Sequence, residues 1–185
     1  MRSKVKSPSS ERWLVYDVET TGLLIPSAAE LTAQPSIIEF AIVEIIDNVI
    51  ARDAVWLINP GKPLTDEIIK ITKLTDADLK DKPAFAAVLA EIVEWFVGAH
   101  GLVAHNLPFD LNMLVTELKR LGKEFAFPYP PEQLCTVSAF EHLKGRRMKL
   151  TELYQSSIGR ELKQTHRALD DARALAEIVI KEGLL

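Results

Sequence analysis

Along the first sixty residues the apolar positions do not follow a helical period. They run in three blocks: "RWLVYD" (12–17), "SIIEFAIVEII" (36–46) and "VIARDAVWLIN" (49–59). The second is apolar at successive positions on both faces, the pattern of a strand covered on two sides. Asp47 and Asn48 supply a tight turn between the second and third blocks, so the three read as a meander. Beyond Pro60 and Pro63 the period changes. "TDEIIKITKL" predicts a short helix capped by Thr65. "PAFAAVLAEIVEWFVG" (83–98) carries apolar residues at helical spacing and stops at Gly98. "GLVAH" (101–105) is a short buried strand. "PFDLNMLVTELKRLG" (108–122) is an amphipathic helix with proline at its start and glycine past its end. After a proline-rich connector, "QLCTVSAFEHL" predicts a brief strand running into a helix, and two further helices follow near 149–158 and 167–182. Strands first, then strands alternating with helices, predict an α/β domain with a mixed sheet whose early strands are antiparallel.

The first block ends in an anomaly. In "WLVYDVETTG" (13–22) two acids, Asp17 and Glu19, sit two residues apart at the end of a buried strand. Positions i and i+2 share a strand face, so both carboxylates lie on the side of Trp13 and Val15. Partly desolvated like charges raise each other's pKa unless a cation neutralises them. An isolated D-x-E more often points its acids to water, and two further acids shift that balance. "AHNLPFD" (104–110) puts His105 and Asn106 at a strand end and Asp110 in the first turn of a helix, beside the apolar face marked by Leu114 and Leu118. In "THRALDDARALAEIVI" (165–180), a turn of about 100° per residue places Asp171 at the edge of the apolar stripe. Asp170 falls on the polar face, and His166 lies just before the helix or in its first turn. Four inward acids with a histidine at the rim, and no thiolate among them, suit Mg²⁺ or Mn²⁺. Such ions polarise water and stabilise a leaving oxygen. His166, with an ordinary pKa near ~6.5, is suited to take a proton from the attacking water.

Composition narrows the class. The chain has 185 residues, 48% hydrophobic and 26% charged, enough for one domain with a sizeable core. A single cysteine, Cys135, excludes a disulfide framework or a cysteine-based metal cluster. The basic N-terminal stretch has no apolar region behind it, and no apolar run reaches the length of a membrane span. The expectation is a soluble, cytoplasmic protein with a disordered tail over 1–10 and a single domain over 11–185. Net charge is −4, but residues 142–173 hold eight Lys and Arg against four acids, which permits a polyanionic substrate.

"DVETTG", "HNLPFD" and "HRALDD", in this order, resemble the three motifs of the DnaQ-like 3′–5′ exonucleases of the DEDDh type, and the resemblance extends over residues 11–182. It implies a ribonuclease H-like fold, a five-stranded mixed sheet flanked by helices on both sides. It implies two divalent ions held by Asp17, Glu19, Asp110 and Asp171, His166 as general base, and release of nucleoside 5′-monophosphates from the 3′ end of single-stranded or frayed DNA or RNA. It places Thr20, Thr21, Gly22 and Leu23 against the terminal nucleotide, with Leu23 wedged at the bases, and Asn106 and Phe109 in support. Glu39 is read as a hydrogen-bonding group behind the acids. The segment 24–36 is longer than the family pattern, and "ITKLT" lacks its usual histidine-glycine pair. The chain stops soon after the last motif, so a stand-alone or accessory exonuclease is expected over a dedicated replicative proofreader, while a polymerase or repair partner stays open. The competing readings are a catalytically idle nucleic-acid-binding module and an endonuclease on the same scaffold.

Overall fold

The computed structural model describes residues 11–25 and 30–185; the tail expected over 1–10 and part of the 24–36 segment lie outside that range. One five-stranded sheet organises the chain. Its strands are β1 (Arg12–Thr20), β2 (Ile37–Ile46), β3 (Val49–Leu57), β4 (Gly101–Ala104) and β5 (Glu132–Cys135), in the spatial order β3-β2-β1-β4-β5. β1, β2 and β3 pair antiparallel, whereas β4 and β5 add parallel to β1 and to each other. The hairpin between β2 and β3 turns on Asp47 and Asn48, both with positive φ, as a two-residue turn that follows the sheet's twist requires.

Seven helices accompany the sheet among the described residues: α1 (Asp66–Thr72), α2 (Asp76–Leu79), α3 (Phe85–Phe96), α4 (Leu107–Arg120), α5 (Thr136–Lys144), α6 (Leu150–Ile158) and α7 (Ala168–Lys181). Alternation along β1 divides the core. Leu14, Tyr16 and Val18 face α3 and α4, where Phe85, Val88, Ile92, Phe96, Met113, Leu114 and Leu118 close the layer. Val15 faces the other way, onto Phe140 of α5, Leu153 of α6 and Leu175, Ile178 and Val179 of α7. Each such buried aliphatic side chain stabilises the fold by about 1.5–3 kcal/mol relative to exposure. A third cluster of Ile38, Leu64, Leu74 and Leu79 seats α1 and α2. The continuous burial of β2 matches its unbroken apolar sequence.

Two features were not legible as elements. α2 has only four residues, too few to show a period, although Thr75 and Asp78 cap it reciprocally. A single 3₁₀ turn at Leu31–Ala33 lies inside the 24–36 segment. No helix among the described residues is long and apolar enough to cross a membrane.

Candidate active site

β1 outruns its parallel neighbour. The last β1–β4 pair is Val15 with Val103, yet β1 continues to Thr20. The edge of β1 that carries Asp17 and Glu19 is therefore left open on that side. α4 begins just past the end of β4 and delivers Asp110, 4% exposed, from its first turn. α7 brings Asp171, 6% exposed, from the opposite layer. The result is a small cleft of about 160 Å³ lined by Asp17, Glu19, Asp110 and Asp171 with His105, Asn106, Phe109 and Gln164 among its walls. It lies at the carboxyl ends of parallel strands, where open α/β sheets place their ligands.

The electrostatics are those of crowded acids whose repulsion Arg167 and His166 offset only in part. Burial, then repulsion from Asp110, Asp171 and Glu19, holds Asp17 well above the usual carboxylate range. Burial, followed by the charges of Asp171, Glu39 and Asp110, pushes Glu19 up to about 8. Asp110 is pushed up to about 7 by burial, against the opposing pull of its own backbone N–H and that of Val18. Asp171 is raised by burial and held back by a hydrogen bond from Gln164 and by His166. One oxygen of Asp171, Oδ1, is buried with no hydrogen-bond partner. Such an orphaned acceptor fits a cation. Glu19, His166 and Asp171 each offer a donor atom, all within 4.8 Å of one another. The carboxylate donors suit a hard divalent ion.

The segment leading into α7 sets the position of His166. His166 has φ 53°, in the left-handed region, and stands exposed at the rim of the cleft. On one side of it Gln164 donates to Asp171 Oδ2 at 2.6 Å and Thr165 donates to Asp170 at 2.7 Å. On the other, Arg167 grips Glu39 through both its Nε and Nη2, and Glu39 also accepts the Ala168 N–H. Glu39 is 1% exposed and lies directly across the sheet from Glu19. It thus holds the first turn of α7 on β2.

The remaining expected site residues divide into two groups. Asn106 and Phe109 line the cleft. Thr20 is buried, with its hydroxyl donating to the Gly22 carbonyl. The Thr21 N–H is already donated to the Ser36 carbonyl, and its hydroxyl accepts the Ser36 N–H, so Thr21 closes the mouth of the 24–36 segment. Leu23 stands 80% exposed beyond it. Two residues of the wall had no assigned role. His105 bonds Thr136 through Nδ1, and burial lowers its pKa. Gln164 carried no periodic or motif signal at all. Of the eight basic residues counted over 142–173, Arg146, Arg160, Arg167 and Arg173 are engaged in ion pairs within the fold.

Comparison with known proteins supplies the family. The family model described as "Exonuclease" (RNase T) matches residues 14–179. The chain belongs to this exonuclease family. Its exonuclease domain is 32% identical over 171 residues to the PolC-type DNA polymerase III of Bacillus subtilis. It is 35% identical over 176 residues to that of Staphylococcus haemolyticus. These alignments take in 92% and 91% of the chain but only 11% of either polymerase. Among solved structures, exonuclease X in complex with 5′ overhanging duplex DNA aligns with a TM-score of 0.64 at 25% identity, covering 92% of this chain and 93% of that one. The nuclease domain of 3′hExo, a DEDDh family member bound to rAMP, aligns with a TM-score of 0.76 at 17% identity, over 97% and 94%. The fold is therefore the ribonuclease H-like α/β fold of these nucleases, and the chain is a domain of the exonuclease family.

Proposed function

We propose that this domain is a metal-dependent 3′–5′ exonuclease that shortens single-stranded or frayed nucleic acid from its 3′ end and releases nucleoside 5′-monophosphates. The observation that carries the reading is the convergence of Asp17, Glu19, Asp110 and Asp171, from one strand and two helices, on a single cleft with an unpartnered Asp171 oxygen. Asp17, Glu19, Asp110 and Asp171 would hold two divalent ions, Mg²⁺ or Mn²⁺. When bound, such ions lower the pKa of a water and offset charge on the reacting phosphate. The protein's own contributions are positional. His166, exposed at the rim within reach of Glu19 and Asp171, accepts the proton of the attacking water. Leu23, exposed four residues past Glu19, packs against the terminal bases, and Asn106 and Phe109 shape the wall that receives the last nucleotide. An idle binding module would have no physical reason to keep four crowded acids whose repulsion destabilises the fold.

The similarity to PolC-type polymerases favours a second, compatible reading, in which the domain edits 3′ ends for a polymerase. Mismatched primer termini fray more readily than matched ones, so a proofreading role predicts faster removal of a mismatched terminus.

The first experiment incubates 5′-labelled single-stranded DNA and RNA with the protein in Mg²⁺, Mn²⁺ or chelator, beside an Asp171→Asn variant. The expected result is a metal-dependent ladder receding from the 3′ end and absent in the variant. Internal cuts would point instead to an endonuclease. Binding without any shortening would point to the idle module.

A further inference from the structure

Gln164 stands outside all three sequence motifs, two residues before His166, yet it reaches into the acid cluster. Its amide donates to Asp171 Oδ2 at 2.6 Å, while Asp171 Oδ1 is buried and accepts from nothing. A carboxylate on a helix can rotate about its terminal torsion. A short bond to one oxygen restrains that rotation and leaves the other buried without a partner. Gln164 also lines two cavities at once. One is the acid cleft, and the other is an adjoining open groove of about 550 Å³ shared with His166, Thr165 and α1 residues Glu67, Lys70 and Ile71. It therefore forms the partition between the acids and the histidine segment.

The segment that carries Gln164 has no regular structure from 161 to 167 but is fastened on several sides. Arg160 binds Tyr154 of α6 and Glu177 of α7, Thr165 binds Asp170, and Arg167 binds Glu39 of β2. Only Gln164 connects this segment to one of the four acids of the cleft by a side-chain hydrogen bond.

We propose that Gln164 is a positioning residue: it orients the Asp171 carboxylate for divalent-metal binding and ties the His166 segment to the metal site. The inference rests on the metal-dependent reading given above. Groups that orient a metal's carboxylate ligand commonly change metal affinity about 10–100-fold when removed. An amide donor is suited to this task, because it binds the carboxylate without competing for the ion as a further acid would.

The test measures Mn²⁺ binding directly, by isothermal titration calorimetry without nucleic acid, for the wild type and Gln164→Met. Methionine keeps the length and apolar stem but has no donor. Gln164→Met is expected to weaken Mn²⁺ binding about 10-fold or more while remaining folded at the titration temperature, its metal-free unfolding temperature falling because the Asp171 carboxylate loses its side-chain donor. Arg160→Met, which loosens the same segment without touching Asp171, is expected to leave Mn²⁺ affinity within twofold. Equal Mn²⁺ affinity in Gln164→Met and wild type would overturn the role of Gln164 alone, as would an equal loss in both variants. A wild-type protein that binds no Mn²⁺ would overturn the metal-dependent reading itself.

Discussion

Removing Arg167 strips a buried carboxylate, Glu39, of its counter-charge. Glu39 is 1% exposed, and its two oxygens are taken by the Arg167 guanidinium at 2.7–3.1 Å and by the Ala168 N–H at 3.1 Å. Arg167→Met keeps the stem but strands a carboxylate inside the protein with one backbone donor left. Breaking a fully buried pair in this way costs about 3–5 kcal/mol. The Arg167 side chain is 38% exposed, so water reaches part of the pair and the cost falls somewhat below that range. A loss of about 2–3 kcal/mol lowers the unfolding temperature of a domain this size by roughly 4–12 °C. Thermal unfolding in chelator reads this directly. The double variant Glu39→Met with Arg167→Met removes both charges and is expected to recover most of the loss, because an apolar pair replaces an ion pair at little cost. Its nuclease activity is expected to stay low, since His166 then lacks the anchor beside it. An Arg167→Met variant that melts within 2 °C of wild type, or a double variant no more stable than the single one, would refute the burial of a stranded Glu39 charge.

Two further outcomes follow from the site and the sheet. The folded-state pKa values of Glu19 and Asp110, about 8 and about 7, lie above the ordinary carboxylate values. The folded state therefore holds more protons than the unfolded chain between about pH 4 and 8, and metal-free stability falls as pH rises through that window. Melting in chelator at pH 5.5, 7 and 8.5 should show this decline, and Mn²⁺ should reverse it; a rising or flat profile in chelator contradicts the crowding of the acids. Gly101 faces Trp13, whose ring would lie 2.2 Å from an added Cβ. Gly101→Ala is expected to cost about 1–3 kcal/mol through overpacking, with a shifted tryptophan emission, and an unchanged denaturation midpoint would disprove the contact.

Much of this architecture is legible from local pattern because the information is local. The strand alternation of 12–20 shows that Asp17 and Glu19 share a face, and the helical period of 168–181 shows that Asp171 turns in while Asp170 turns out. What local pattern cannot show is pairing across the chain. Glu39 reads as a buried acid, but its partner lies 128 residues away and is recognisable only once α7 is laid on β2. Gln164 is invisible for a different reason: a glutamine in an irregular segment has no period and no charge, and its role comes from one distance. The basic residues of 142–173 mislead in the opposite direction. Counted along the chain they form a positive patch, yet half of them are paired with Glu39, Asp53, Glu152 and Glu177.

The 24–36 segment is latched at its base. Thr21 and Ser36 exchange two hydrogen bonds, the Gln34 side chain pairs with both backbone groups of Ile25, and Arg120 holds the carbonyls of Leu31, Gln34 and Pro35. Glu19 sits just ahead of that latch and Glu39 just behind it. A closed neck of this kind makes the excursion a replaceable cassette. Lengthening a loop adds only a small entropic cost, about 0.6 kcal/mol per doubling. Residues can therefore be added beyond the latch at little cost while Glu19 and Glu39 keep their pairing across the sheet.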